Sequence, residues 1–312
     1  MPVAGSTAAV LIVTHAAMHE HAPLHNREVP ARLIAALRGI AAAQRDGISC
    51  EVRNAEPVQD SEVLLVHTPA LLAQLRDGFE QGLAQAGPEA PLDAGTWSAA
   101  RHAAGAGPTA VRRMLQPGAP RRAFCAVRPP GHHASRETAS GYCYLNNAAI
   151  TAAAMRALGL AQRVAILDLD HHHGNGTEAL VGRIGSCAYA SVHAAGYPGT
   201  GLRDGDGAVF NRVLRRLDRS AWLQAVAELL AQLHAWGPEA LVVSFGTDAL
   251  IDDPVGDLGI TQDDLDAAVA SVVAQWPRLP VISLLEGGYS LPNLEEAVRR
   301  HVRTLAMDAR ES

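Results

Sequence analysis

Asp168-Leu-Asp170-His171-His172-His173-Gly174 closes a short apolar run and packs two acids and three histidines into one stretch. Residues two apart on an extended backbone project to the same side. Asp170 and His172 can therefore face one ion, with Asp168 one step back on the same side. A third acid, Asp248, lies past another apolar run in Phe245-Gly-Thr-Asp248. Two carboxylates and one imidazole leave positions open for water and substrate, the pattern of a catalytic zinc and not of a closed structural one. Spacing alone also permits a plainer reading, capping acids with surface histidines. His132-His133 follow Arg128-Pro-Pro-Gly131, whose prolines and glycine impose a non-helical loop. A metal-activated water needs a base, and a departing amine needs an acid; imidazole titrates in the right range for both. Glu286-Gly-Gly-Tyr289 carries a phenol that could bind an oxyanion. Tyr142, in Gly141-Tyr-Cys-Tyr-Leu-Asn-Asn147, and Tyr197, in Tyr-Pro-Gly-Thr-Gly201, could wall a narrow apolar slot. Taken singly, each of these turns reads as ordinary packing.

These groups need a frame. Strands are predicted at 10–14, 49–53, 123–127, 164–168, 188–192, 210–213, 240–245 and 281–285. Helices are predicted at 30–44, 69–79, 96–115, 146–158, 220–235, 261–275 and 291–307. Pro30 suits a first helical turn, and Ser220 could cap the helix it opens. Strand–helix alternation means an α/β fold with a largely parallel sheet, in which ligands bind beyond the carboxyl ends of the strands. Arg128–His133, Asp168–Gly174, Ser191–His193, Gly246–Asp248 and Glu286–Tyr289 all sit at such ends. No repeat, charge block or low-complexity linker interrupts the chain, which reads as a single domain over 1–312.

The composition bounds the chemistry. All 26 basic side chains among the 312 residues are arginine. That excludes Schiff-base lysine catalysis and the lysines of Walker A and kinase sites. The hydrophobic fraction is 48% and the aromatic fraction 4%, so the core must be aliphatic and alanine-rich. With a net charge of −6 and no basic stripe, direct nucleic-acid binding has no support. Apolar runs such as 8–13 and 240–245 are too short to cross a bilayer, and no membrane role is expected. The N-terminus has no basic region ahead of an apolar stretch, so no secretory leader is expected. Cys50, Cys125, Cys143 and Cys187 lack metal or framework spacing, which reads as reduced thiols in a cytoplasmic protein.

Six segments carry a resemblance: Arg-Pro-Pro-Gly-His-His-Ala (128–134), Gly-Tyr-Cys-Tyr-Leu-Asn-Asn-Ala-Ala (141–149), Asp-Leu-Asp-His-His-His-Gly-Asn-Gly-Thr (168–177), Ser-Val-His with Tyr-Pro-Gly-Thr-Gly (191–193, 197–201), Gly-Thr-Asp-Ala-Leu with Asp-Pro (246–250, 253–254), and Leu-Glu-Gly-Gly-Tyr-Ser-Leu (285–291). In these the chain resembles the zinc-dependent histone deacetylase family, which includes acetylpolyamine amidohydrolases and bacterial histone-deacetylase-like amidohydrolases. Weaker echoes lie at Glu28–Leu33 and Val66–Leu72. The resemblance implies an arginase/deacetylase fold with an eight-stranded, mainly parallel sheet. It implies one zinc per chain on Asp170, His172 and Asp248. His133 would be general base and acid, His132 with Asp168 would position water and add positive charge, and Tyr289 would stabilise the oxyanion. Tyr142 and Tyr197 would flank the substrate channel, which Gly141 lines. A structural potassium would take the side chains of Asp168 and Ser191 and the carbonyls of Asp170, His172 and Val192.

The pattern is not followed everywhere. The family usually has a large residue where Leu169 sits and an apolar one where His171 sits; His171 is not assigned as a ligand. Asn175 stands where some members have the Asp that orients the second histidine. An amide stabilises imidazolium less than a carboxylate does, so His133 should be the less basic of the pair. An arginase-type two-manganese hydrolase would need acids where Gly174 and Gly246 stand. A catalytically dead acyl-binding relative would be expected to lack a catalytic group, and none is missing. The substrate expected is an acyl-lysine in a protein or peptide. The alternatives are an acetylpolyamine and another small acylated amine. Some polyamine-selective relatives place a Glu after the Asp-Pro at the rim, where this chain has Val255; Glu89 and Asp93 are the other candidates for a rim acid. A homo-oligomer is left open.

Overall fold

Eight apolar runs line up as one sheet in the computed structural model, which describes residues 9–24, 26–215 and 217–307. The strands are β1 Val10–Thr14, β2 Cys50–Asn54, β3 Arg122–Cys125, β4 Val164–Asp168, β5 Cys187–Ala194, β6 Val209–Leu214, β7 Ala240–Phe245 and β8 Val281–Leu285. Their order across the sheet is β2-β1-β3-β8-β7-β4-β5-β6, and every pairing is parallel. Strands covered on both faces read as unbroken apolar runs. β4, β7 and β8 are buried at every position, whereas edge strand β2 carries Glu51, Arg53 and an exposed Val52.

The helices are α1 Ala31–Arg45, α2 Asp60–Val63, α3 Pro69–Asp77, α4 Thr96–Met114, α5 Asn147–Ala157, α6 Asn175–Ile184, α7 Arg219–Trp236, α8 Gln262–Gln275 and α9 Leu291–Leu305. α4, α5 and α6 pack on one another and on the sheet; α9 packs against α1 and α8, and α7 covers β5 and β6. Alanine supplies much of the contact, as at Ala99, Ala100, Ala103, Ala104 and Ala110 of α4 and Ala148, Ala149 and Ala152 of α5. Small side chains let helices approach a sheet closely, which is how a chain poor in aromatics fills its core.

Several boundaries differ from expectation. α7 begins one residue early, and its cap is Asp218, whose carboxylate accepts from the Ala221 amide at 3.0 Å; Ser220 lies inside the first turn. The capping acid sits two residues upstream of the serine, a shift within the usual uncertainty of helix ends. α6 has no counterpart among the predicted helices. It has Gly176 and Gly182 within it, and glycine weakens the helical signal. β5 runs on to Ala194, so Ser191–His193 lie inside the strand and not beyond it.

Candidate active site

The loops after β3, β8, β7 and β4 meet, because these strands are consecutive neighbours in the sheet. From β4 come Asp170 and His172; from β7 comes Asp248. Their ligand atoms lie within 4.8 Å of one another. His172 Nδ1 is 3.2 Å from Asp170 Oδ1 and 3.2 Å from Asp248 Oδ2. The acids are anchored by backbone. Asp170 Oδ2 accepts from the Gly287 amide at 2.8 Å, Asp170 Oδ1 from the His172 amide at 2.8 Å, and Asp248 Oδ1 from the His171 amide at 3.0 Å.

Electrostatics show that this cluster is short of positive charge. Both acids are fully buried. Burial and the Asp170 carboxylate push the Asp248 carboxyl up, and the His172 imidazole beside its Oδ2 opposes them. Burial opposes ionisation of His172, yet Asp170 and Asp248 lift it to about 10. An imidazolium is thus held between two carboxylates, where a divalent cation would displace its proton. The donor set of two carboxylates and one imidazole fits zinc with positions left open. Neither position that would have to carry a second-metal acid can hold a side chain here: a Cβ on Gly246 would collide with Asp170 Oδ2, and one on Gly174 with Asp168 Oδ2.

The loop after β3 presents His132 and His133, both buried, with ring centroids 4.1 Å apart. His132 Nδ1 is 3.2 Å from Asp168 Oδ2. Burial would lower His132, but Asp170 and Asp168 outweigh it and raise the imidazole to about 10. His133 Nδ1 donates to Asn175 Oδ1 at 2.7 Å, which leaves Nε2 as an acceptor. Burial, then the neighbouring His132, hold His133 well below the ordinary imidazole range, and Asn175 only partly offsets them. Two adjacent imidazoles are thereby split into a charged one and a neutral one.

Tyr289 is reached through Gly287, a position that admits no side chain because a Cβ would collide with Asp248 Oδ2. Burial keeps the Tyr289 phenol protonated far above 10, so it is a hydrogen-bond donor. A cavity of about 260 Å³ is lined by Tyr289, Tyr142, Tyr197, His133, Asp170 and His172. Tyr197 stands 5.2 Å from the His133 ring, and the Tyr142 ring is 6.1 Å from that of Tyr289. Gly141 has φ 53°, and a Cβ there would sit 2.5 Å from the His133 ring and 3.0 Å from the Tyr197 hydroxyl. Asp168 and Ser191 are opposite one another across the β4–β5 pairing. Ser191 Oγ is 2.9 Å from His193 Nδ1, and Tyr189 donates its hydroxyl to Asp168 Oδ2 at 3.1 Å.

Residues 26–305 match the histone deacetylase domain. The chain belongs to the histone deacetylase family. It is 37% identical over 214 residues to acetylpolyamine amidohydrolase 1 of Pseudomonas aeruginosa, covering 65% of this chain and 60% of that one. The chain therefore spans under two thirds of that relative's length. The crystal structure of an acetylpolyamine aminohydrolase from Burkholderia pseudomallei superposes with a TM-score of 0.81 at 28% identity, over 95% of this chain and 98% of that one. The HD domain of HDA15 superposes with a TM-score of 0.86 at 27% identity, over 96% of this chain and 90% of that one.

In this histone deacetylase-family chain, four features of the site have no local signal in the sequence. Glu286, quoted only as part of a motif, accepts from the amides of Gly131 at 2.7 Å and His132 at 3.1 Å, so it holds the histidine loop against β8. Burial raises it to about 7, with His132 opposing. Arg32 donates to the carbonyls of Gly288 at 2.6 Å and Glu286 at 2.5 Å, and its guanidinium lies 4.9 Å from the Tyr289 ring. Glu28 bridges Arg32 and Arg128 in a fully buried network. Asp253 accepts from the Tyr289 amide at 2.7 Å. The third histidine of the run, His173, turns away from the metal cluster to Thr200 and Glu178, each at 2.8 Å. Of the two candidate rim acids, Glu89 lines the cavity, and Asp93 does not: its Oδ1 accepts from the Gly95 amide at 3.0 Å and the Thr96 hydroxyl at 2.8 Å at the start of α4.

Proposed function

We propose that this chain hydrolyses the acetyl–nitrogen bond of an N-acetylated polyamine or similar small aliphatic amine. The observation that carries the choice is Glu89, an exposed residue lining a tyrosine-walled slot that reaches Asp170 and His172. The Glu89 carbonyl accepts from the Tyr142 amide at 2.8 Å, and its side chain lies beside the Tyr197 hydroxyl, which burial and this acid raise to about 12. An alkylammonium extending out of the slot would meet that acid. Relatives named acetylpolyamine amidohydrolases support this reading over the acyl-lysine expectation, whose main structural support is the apolar Val255 on the same rim.

Zinc on Asp170, His172 and Asp248 would supply Lewis acidity to the acyl oxygen and to water. Every other role falls to side chains already in place. His133 Nε2 takes a proton from the attacking water. His132, charged against Asp168, supports negative charge as it develops nearby. The Tyr289 hydroxyl donates to the oxyanion of the tetrahedral intermediate. His133 then returns the proton to the leaving nitrogen, and acetate and free amine are released. Tyr142 and Tyr197 exclude water from the slot and align the alkyl chain. Asp168 and Ser191, with the carbonyls of Asp170, His172 and Val192, are the proposed potassium donors.

The test is a comparison of kcat/KM on acetylspermidine, an acetyl-lysine peptide and an uncharged N-alkylacetamide, using zinc-loaded protein. Acetylspermidine is expected to be preferred, and Glu89→Gln should cut that preference about two- to fivefold, the range of an exposed ion pair. A preference for the peptide that Glu89→Gln leaves untouched would establish acyl-lysine instead.

A further inference from the structure

We infer that His171 is a positioning residue that ties the metal-binding loop to the turn carrying Tyr289. It stands between two proposed ligands, yet its ring points elsewhere. His171 Nδ1 accepts from the Asp257 amide at 3.1 Å. Its own amide donates to Asp248 Oδ1 at 3.0 Å, and its carbonyl accepts from the Ala194 amide at 2.9 Å. The 253–257 loop lies directly on this ring: a Cβ on Gly256 would come within 2.6 Å of both His171 Cγ and the Asp248 carbonyl oxygen. Within that loop Asp253 uses both carboxylate oxygens. Oδ1 accepts from the amides of Val255 at 2.9 Å and Gly256 at 3.2 Å. Oδ2 accepts from the amides of Tyr289 at 2.7 Å and Ser290 at 2.9 Å.

A continuous path therefore runs from the β4 loop through His171, Asp257 and Gly256 to Asp253, and from there to the Tyr289 backbone. The same loop places Val255 on the cavity wall. An apolar residue at 171 could fill the space but could not accept from the Asp257 amide, and a backbone N–H left unpaired away from water is costly. His171 thus sets how firmly the oxyanion-binding phenol and one wall of the slot are held relative to the metal ligands. The catalytic part of this inference rests on the amidohydrolase reading; the structural part does not.

The test pairs two kinds of substitution. His171→Leu and His171→Phe keep bulk and remove the acceptor. His171→Asn keeps an acceptor one bond from Cγ, where Nδ1 now lies. Amide-exchange mass spectrometry on peptides covering 252–258 and 287–291, with and without zinc chloride, reads the tie directly. Leu and Phe should speed exchange in both peptides about five- to tenfold, the worth of one net hydrogen bond, and Asn should stay within about twofold of wild type. On acetylspermidine, Leu and Phe should lower kcat by a similar factor with little change in KM, and Asn should recover most of it. Wild-type exchange in both acceptor-less variants, or exchange in Asn as fast as in Leu, overturns the inference. If wild-type protein turns over no acetylated amine, the proposed function fails, and the exchange data alone decide the role of His171.

Discussion

His132 and His133 are neighbours in sequence and in space, and what faces each Nδ1 separates them. A carboxylate faces His132 and an amide oxygen faces His133. A base must be neutral to accept a proton, so activity should fall with decreasing pH as His133 becomes protonated. Because burial and His132 hold His133 low, that acid limb of kcat/KM should lie below 6.5. Asn175→Asp adds a carboxylate at the same Nδ1 and should move the limb upward by a measurable fraction of a pH unit or more; an unmoved limb would mean that another group sets it. His133→Ala should cost about 10²–10⁴-fold in kcat, and Tyr289→Phe about 10²–10³-fold, both read from steady-state rates. Near wild-type turnover in either variant would remove that residue from the mechanism.

At the scale of elements, α9 carries a buried histidine outside the site. His301 is sandwiched between Phe245, stacked at 3.9 Å, and Phe124, edge-on at 5.2 Å. Neither of its nitrogens has a partner, and burial lowers it to about 3. The folded state therefore holds it neutral while the unfolded chain takes up a proton near pH 6.5. Stability must fall as pH drops from 6.5 towards 3, by about 2 kcal/mol at pH 5 from this group. His301→Leu should abolish this dependence and raise the melting temperature at pH 5 by several degrees, with a smaller change at pH 7. Equal shifts at both pH values would show that packing and not titration is responsible. Helix limits were the least legible feature at this scale. The cap of α7 and the existence of α6 hinge on single residues, Asp218 and the two internal glycines, whose effect depends on what packs nearby.

For the whole molecule, metal and fold are linked. Buried Asp170 and Asp248 repel one another, and a bound cation relieves that cost only in the folded state. Chelation should lower the melting temperature by several degrees, since binding at 1,000 times Kd stabilises by about 4 kcal/mol. Plasma mass spectrometry of reconstituted protein should count one zinc per chain. A count of two would overturn the one-metal reading. Among the described residues no helix is long and apolar enough to cross a membrane.

The types of chemistry were legible from the sequence because they are local. Period-two spacing put Asp170 and His172 on one side of the chain, proline and glycine marked the histidine loop, and the apolar runs marked the strands. The histidine, aspartate and tyrosine loops each followed a predicted strand, which made a parallel α/β sheet with a shared mouth a sound expectation. What the tertiary structure decided was adjacency. Strands far apart in the chain, β3, β8, β7 and β4, became neighbours through parallel pairing, and no local pattern encodes which strand pairs with which. The same long-range pairing placed Glu286 under His132, Asp253 under Tyr289, Glu89 at the rim and His171 against the 253–257 loop. The residues beside these four in the sequence do not encode the contacts. Only packing gives these four residues partners more than 30 residues away.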